Sequence, residues 1–256
     1  MATGKVYVYG VVHAGRTPPA DRRGVGSPPA RPRMLRAGPL AAVVSTPPER
    51  LLARRRDLLA HQDVLLALAA EGPVIPMRFG VVAPDAEAVR RRLREDEAEH
   101  LATLERLDGR LEMNLKAFPV EEAMADLVRE DRTVRRLREA ARRRPGYEAS
   151  VRLGEAVAAG LRRRAAEAAA SALRELASLA EATAPGPELP ECVGNVSFLV
   201  AAAREPEFRA TAERRAAELG DRAELRLSGP LPCFSFVTPR PETAGTAAHP
   251  PAAGGR

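Results

Sequence analysis

Histidine and cysteine, the residue types most often used in catalysis and metal binding, are scarce in this chain of 256 residues, which has 4 His and 2 Cys. His61 lies between Asp57 and Asp63 in a stretch with helical periodicity, but it lacks the His-x-x-x-His spacing of a metal-binding helix. Cys192 and Cys233 lie far apart and outside any C-x-x-C spacing. We therefore predict no metal site, no disulfide framework and no cofactor.

Motifs that bind phosphate or present a nucleophile are also missing. The sequence contains no Walker loop, no G-x-G-x-x-G and no G-x-S-x-G. We predict that the protein is not an enzyme. The alternative, an enzyme, would require His61 to cluster with carboxylates in a deep pocket.

Two segments near the middle of the chain have residue types suited to a protein contact. Arg78, Phe79 and Gly80 follow an apolar strand, and they form either a contact surface or, equally, a core Phe followed by a Gly bulge. Glu112 and Lys116 lie on one face of a later strand. A solvated pair is the favoured interpretation there, and a partner-binding pair is the alternative.

A third candidate segment, Phe234-Ser235-Phe236, lies near the end of the chain. If it is a strand, its two aromatic rings share one face. Packing beneath the C-terminal helix is the favoured interpretation, and a partner site is the alternative.

The elements that position these residues predict an α+β protein. A strand at Lys5 to Val12 comes first, and Met34 to Ser45 forms either a short hairpin or one broken strand. A helix from Pro48 then precedes an apolar strand at Val74 to Val82. Asp85 then caps the first of two helices, and Asp108-Gly109 leads into a strand at Arg110 to Lys116. We predict an α+β unit of ferredoxin-like type over residues 1–119.

The rest of the chain predicts a helical hairpin followed by a second α+β unit. Charged helical stretches on either side of Pro145-Gly146 give a long helical hairpin over residues 120–184. Residues 185–238 predict a β-α-β-β unit whose last strand is Phe234 to Val237. Residues 239–256 form a Pro/Ala/Gly-rich tail that we expect to be disordered.

The charge and aromatic content of the chain limit the classes of function that we expect for it. The formal net charge is +6, yet 40 basic residues include only the lysines Lys5 and Lys116, a bias typical of GC-rich coding sequence. With 4% aromatic residues and no Trp, the chain offers few rings for bases to stack on. A basic nucleic-acid-binding module stays open as an alternative. It is motivated by four arginine runs, Arg54 to Arg56, Arg90 to Arg92, Arg142 to Arg144 and Arg162 to Arg164.

No signal-like segment and no apolar run of about 18 residues is present, so we expect a cytoplasmic protein that makes no use of a membrane.

Four segments together resemble the gas vesicle protein F/L family over nearly the whole chain, from about Lys5 to Val237. The order and spacing of these segments carry the resemblance. They are YVYGVV at Tyr7, PVIPMRFG at Pro73 following a helix with His61, LERLDGRLEMNLKAF at Leu104, and the pair NVSFLV at Asn195 and LSGPLPCFSFV at Leu227.

The resemblance implies a role in building gas vesicles, as an assembly factor or minor component. It implies contact with the small hydrophobic shell protein and with other accessory proteins, and location at the gas vesicle. An open α+β sheet can hold an apolar segment by edge pairing or in a groove.

This chain departs from the family at the C-terminal pattern G-P-W-P-P-Y-S-F, where Leu231, Cys233 and Phe234 replace Trp, Pro and Tyr. Gly229 and Pro230 remain, so we expect the turn to form and include both as candidate contacts.

Overall fold

The structure is a computed structural model that describes residues 4–237, so the tail predicted for residues 239–256 lies outside the described residues. The described chain forms two antiparallel sheets flanked by helices. The predicted α+β class with two units is confirmed.

The first sheet is built around strand β1 (Val6–His13), whose residues from Val6 to Val12 are buried. On one side β1 pairs with β3 (Leu40–Ser45), which pairs in turn with β2 (Arg33–Ala37) in the predicted hairpin. On its other side β1 pairs with two short strands, β4 (Ile75–Pro76) and β5 (Val82–Ala83). β4 and β5 therefore share one edge of the sheet.

The prediction of one continuous strand from Val74 to Val82 is wrong. The segment between β4 and β5 leaves the ladder and touches β1 through two backbone hydrogen bonds. Met77 N–H donates to Tyr9 O at 2.8 Å, and Val8 N–H donates to Val81 O at 3.0 Å. Pro76 has no N–H with which to continue the pairing, so regular pairing stops there.

Helices cover both faces of the first sheet. Helix α1 (Arg55–Ala70) packs on the face that carries Tyr7 and Tyr9. Helices α2 (Ala86–Glu95) and α3 (Glu97–Leu107) pack on the face that carries Val6 and Val8. The first sheet is therefore a central layer between two helical layers.

The ends of these helices test two predictions. Asp85 caps α2 as predicted, because its Oδ1 accepts from Ala88 N–H at 2.7 Å. The predicted start of α1 at Pro48 is wrong. A turn in which Arg54 N–H donates to Leu52 O at 2.7 Å comes first, and it lets Leu51 pack on the core beneath α1.

The second sheet has the order β7-β8-β6-β9. Its strands are β6 (Arg110–Pro119), β7 (Ala182–Pro185), β8 (Gly194–Ala201) and β9 (Ala223–Leu231). The placement of β6 in the N-terminal unit is wrong, and β7 was not predicted. A strand of the first sheet needs apolar residues on both faces, whereas β6 has them on one, which fits a sheet with helices on one side.

Four helices accompany the second sheet. They are α4 (Met124–Glu130), α5 (Arg132–Arg143), α6 (Tyr147–Leu179) and α7 (Glu205–Leu219). α6 and α7 cover the apolar face of the sheet through a core that includes Leu176 and Phe208. α5 packs against α6, as predicted for that pair.

The charged stretch before Pro145 is not one helix. Asp131 ends α4 and caps α5, because its Oδ1 accepts from Thr133 N–H at 2.8 Å and from Val134 N–H at 3.1 Å. Val134 then packs with Leu153 and Val157 of α6 in a small core of its own.

The predicted last strand is wrong, because Phe234–Phe236 is a short 3-10 turn. Pro232 lacks an N–H and ends the strand before it. The turn lies on the second sheet beside Leu199, and Val237 also packs against the core of the first sheet. The segment from Phe234 to Val237 therefore touches both units.

Candidate partner-binding surfaces

Arg78, Phe79 and Gly80 lie in the irregular segment between β4 and β5. Arg78 and Gly80 are exposed, whereas Phe79 is half-buried. The Phe79 ring meets His61 at 5.8 Å between centroids and Tyr7 at 6.1 Å, both edge-on. Gly80 has φ of +101°, and a Cβ there would meet nothing within 4 Å. Each of the two sequence interpretations is therefore correct in part. Phe79 packs against His61 and Tyr7, whereas Arg78 and Gly80 on either side of it face solvent.

Exposed apolar side chains follow this segment in the chain and also lie on α1, the helix whose His61 contacts it. Val81 and Val82 are 36% and 37% exposed, and Leu58 and Leu59 of α1 are 41% and 48% exposed. Leu58 is one turn before His61, whose ring contacts Phe79. We call Leu58, Leu59, Phe79, Val81 and Val82 the edge patch. Within residues 4–237, no strand pairs with the outer side of β5.

His61 holds this segment to the sheet. Its Nε2 lies 2.9 Å from Met77 O, which can only accept, so Nε2 carries the proton. Nδ1 therefore accepts from the Tyr7 hydroxyl at 2.8 Å, and that oxygen accepts from Gly80 N–H at 3.3 Å. Burial lowers the pKa of His61 and raises the pKa of Tyr7. The neutral imidazole is a cross-link between α1, β1 and the segment after β4.

Asp57, the carboxylate four residues before His61, is bound to the loop that follows β1. Its Oδ1 accepts from Gly26 N–H at 2.9 Å, and Arg56 forms an ion pair with it at 3.2 Å. Burial acts to raise the pKa of Asp57, but the Gly26 hydrogen bond and Arg56 outweigh it and hold that pKa below its usual range. The side chains of Asp57 and His61 are therefore both hydrogen-bonded to backbone groups.

The favoured interpretation of Glu112 and Lys116 as a solvated pair is wrong for Glu112. Glu112 is 4% exposed, and its carboxylate accepts from Ser235 N–H at 2.8 Å and from the Ser235 hydroxyl at 2.7 Å. The 3-10 turn covers it. Lys116 lies four residues along β6 and is half-buried between Asn195 and Arg226 in the strand register.

The two aromatic rings of the C-terminal segment do not share a face. Phe236 is 8% exposed and packs with Leu107 and Leu199, whereas Phe234 is 38% exposed. A 3-10 turn rotates successive side chains by about 120°, so residues two apart diverge, unlike in a strand. Phe234 alone remains available to a partner.

Gly229 and Pro230 shape the end of β9. Gly229 has φ of +142°, and a Cβ there would lie 2.5 Å from Met113 Sδ and 3.1 Å from Glu112 O. Pro230 lines a cleft of about 470 Å³ between the two units. We call this the inter-unit cleft; its apolar lining includes Leu66, Val74, Leu107, Leu111, Leu231 and Cys233. Burial raises the pKa of the Cys233 thiol to about 12.

The predicted site residues therefore fall on separate surfaces. Arg78, Phe79 and Gly80 lie at the edge patch, and Gly229 to Phe236 lie at the inter-unit cleft and beyond it. Among the described residues, no hydrogen bond or ring contact joins the two groups. The sequence interpretation missed Leu58, Leu59 and Ser235. The Leu pairs of α1, too many for one buried stripe, were the signal that could have found the two leucines.

A metal-binding cluster and a membrane-spanning helix are both absent from the described residues. Residues 4–237 contain no group of three His, Cys, Asp or Glu side chains placed to hold a metal ion. No helix in that range is both long and apolar enough to cross a bilayer.

Solved structures with this fold include two gas vesicle proteins. The crystal structure of gas vesicle protein GvpF from Anabaena sp. PCC7120 matches 93% of this chain and 99% of its own, with a TM-score of 0.73 and 20% identity. The crystal structure of gas vesicle protein GvpF from Microcystis aeruginosa matches 92% of this chain and 100% of its own, with a TM-score of 0.71 and 20% identity. At this identity the likeness shows the fold.

Sequence relatives are more similar. Gas vesicle protein F of Streptomyces sp. (strain CB03234) is 42% identical over 237 residues, which are 90% of this chain and 98% of the relative. Gas vesicle protein L of the same strain is 35% identical over 133 residues, 46% of this chain and 49% of the relative. The family model described as gas vesicle synthesis protein GvpL/GvpF matches residues 5–238. The chain therefore belongs to the GvpL/GvpF family of gas vesicle proteins.

Proposed function

We propose that this protein is a cytoplasmic assembly factor, or a minor component of the gas vesicle, that binds the hydrophobic shell protein during vesicle formation. Other accessory proteins of the vesicle are proposed as further partners. Membership of the family supports a gas vesicle role, and the edge patch supports the mode of binding.

The edge patch is the observation that carries the proposal. An unpaired strand edge offers backbone donors and acceptors to an extended segment, and exposed apolar side chains beside it favour an apolar one. β5 provides such an edge, with Val81 and Val82 exposed next to Phe79. A shell protein segment destined for a gas interface would aggregate in water unless a surface of this kind covered it.

The His61 cross-link supports the same assignment. It holds the segment from Met77 to Gly80 in one conformation before any partner arrives. A surface that is already ordered loses less conformational entropy on binding. Pro230 and Phe234, at the other surface, stay predicted contacts for an accessory protein.

Co-expression with the shell protein from the same gene cluster, followed by affinity capture in high salt, tests the proposal. Salt screens an arginine-driven contact and leaves an apolar or strand-edge contact largely intact. The double variant Val81→Lys, Val82→Lys places charge on the edge patch. We expect it to capture roughly tenfold less shell protein than the unmodified chain, since about 1.4 kcal/mol of apolar contact would be lost.

Met124→Lys with Val151→Lys is the matched control. Both residues are similarly exposed, 43% and 38%, and lie on helices of the second unit. We expect this control to capture as much shell protein as the unmodified chain. Equal capture by both double variants would reject the edge patch, and shell protein that aggregates despite co-expression would reject binding altogether.

A further inference from the structure

Helix α5 carries an unusual excess of exposed arginine. Within residues 4–237, six arginines of α5 and its C-terminal end are exposed and form no ion pair or hydrogen bond through their side chains. They are Arg132, Arg135, Arg136, Arg138, Arg142 and Arg144. Arg143 has a distant partner, Glu139, at 3.9 Å. Six guanidinium groups without described partners on one short helix and its C-terminal end produce a strong local positive potential.

Many arginines in the other runs of the chain are neutralised by carboxylates. Arg163 pairs with Asp131 at 2.6 Å, and Arg164 pairs with Glu130. Arg92 pairs with Asp96 at 2.6 Å and Arg94 with Glu87 at 2.6 Å. Exposed arginines without a described ion pair occur elsewhere too, as at Arg54 and Arg55, but no other described helix carries as many of them as α5.

Three of the exposed arginines share one side of α5. Arg135, Arg138 and Arg142 follow the i, i+3, i+7 spacing of one helical face, while Val134 packs inward against α6. Tyr147, 88% exposed, follows just beyond the end of α5. Arginine and tyrosine are the residue types enriched at the energetic centres of protein interfaces.

We propose that this face of α5 is a docking surface for an acidic segment of a partner protein. Carboxylates at helical spacing, or along a short extended peptide, would pair with the row of Arg135, Arg138 and Arg142. This surface is separate from the edge patch, so the inference does not rest on the proposed contact with the shell protein.

The dimensions of the surface favour a protein segment over nucleic acid. α5 has 12 residues and is about 18 Å long. Nucleic-acid surfaces continue a basic path across several elements and add aromatic rings on which bases stack. Here the neighbouring run on α6 is already paired with carboxylates, and Tyr147 is a single exposed ring.

The C-terminal tail does not supply the acidic segment. Residues 238–256 contain one acidic residue, Glu242, against Arg240 and Arg256. Charge complementarity therefore points to another polypeptide.

The test compares two triple variants that each remove three positive charges. Arg135→Gln, Arg138→Gln, Arg142→Gln neutralises the row on α5. Arg23→Gln, Arg31→Gln, Arg33→Gln is the matched control, at exposed arginines without a described ion pair. The probe is a fluorescein-labelled helical peptide of about 14 residues with Glu at i, i+3 and i+7, followed by anisotropy at about 0.05 M salt.

We expect the α5 triple variant to bind this peptide roughly tenfold more weakly than the unmodified chain does. The control triple variant should bind the peptide nearly as tightly as the unmodified chain. Unchanged circular dichroism and melting temperature would confirm that the α5 variant remains folded. Equal affinity of the two variants, or failure of the unmodified chain to bind, would overturn the proposal.

Parallel titrations identify other occupants. If a DNA duplex or phosphatidylserine vesicles bind more tightly than the peptide, and lose binding in the α5 variant, the proposed partner class is wrong. If sedimentation shows self-association that the α5 variant abolishes, the occupant is a second copy of this chain, which also overturns the acidic-partner assignment.

Discussion

Two buried polar side chains hold the candidate surfaces in position. His61 joins the Tyr7 hydroxyl to the Met77 carbonyl, and Glu112 accepts two hydrogen bonds from Ser235. Each side chain bonds to a residue distant in sequence, so each fixes a segment that has no regular strand pairing to order it. Their loss would leave buried donors and acceptors unpaired, which costs more than an exposed hydrogen bond.

The lowered pKa of His61 makes stability depend on pH. The unfolded chain binds a proton at His61 near the ordinary pKa of about 6.5, whereas the folded chain resists it. Stability is therefore full above about pH 6.5 and falls as pH decreases toward the folded pKa. We expect His61→Gln to reduce this loss, measured as the difference in urea unfolding free energy between about pH 7.5 and pH 5.5.

His13→Gln is the control for that measurement, because His13 is exposed at the end of β1. We expect its pH dependence to match that of the unmodified chain. A His61→Gln protein with the full original loss of stability at low pH would show that another group, such as the partly buried His100, dominates the titration.

At the scale of elements, the end of β9 depends on close packing against β6. Gly229 brings its backbone within reach of Met113 and Glu112, and this approach carries the chain toward Pro232 and the 3-10 turn. The turn that covers Glu112 and carries the exposed Phe234 begins five residues after Gly229. A side chain at position 229 would meet both backbone strain and steric overlap.

Alanine substitution at three glycines separates the destabilisation caused by backbone strain from that caused by steric overlap. We expect Gly229→Ala to lower the melting temperature by roughly 4–10 °C, since it adds overlap with Met113 to a strained positive φ. Gly80→Ala, with open space around it, should lose only about 2–4 °C from backbone strain.

Gly220→Ala is the neutral reference, because Gly220 has φ of −57° and a Cβ there would come no nearer than 3.5 Å to Ala216 O. Thermal unfolding followed by circular dichroism provides the comparison. Equal melting temperatures for the variants at positions 229 and 220 would show that β9 relaxes away from Met113 at little cost.

At the scale of the whole molecule, the boundary between sheets falls at Asp108-Gly109. Among the described residues, every strand before it belongs to the first sheet, and every strand after it belongs to the second. The predicted division at residue 119 would leave β6 attached to the first unit, without β8 and β9, its partners on either side.

We therefore expect a fragment of residues 1–109 to fold cooperatively and remain monomeric. A fragment of residues 1–119 should associate or precipitate, since it exposes Leu111, Met113 and Leu115 on an unpaired strand. Size-exclusion chromatography and urea unfolding of the two fragments provide the measurement. If the longer fragment is equally soluble and more stable, β6 contributes to the first unit after all.

Much of this fold follows from local patterns. The both-face burial of β1, the β2–β3 hairpin and the Asp85 cap were predictable because each rests on residues near one another in sequence. The segment order also predicted the family, which the match over residues 5–238 confirms. The candidate partner contacts remain predictions. They lie at the edge patch, at or beyond the inter-unit cleft and, for Glu112 and Lys116, on β6.

The sequence by itself determined the α+β class, most helices and the alternation of β6, since these depend on periodicity and capping within a few residues. Only the tertiary structure decided which sheet β6 joins, that Glu112 is buried by Ser235, and which arginines are left without partners on α5. Those outcomes depend on residues far apart in sequence, whose approach is set by how whole helices and sheets pack.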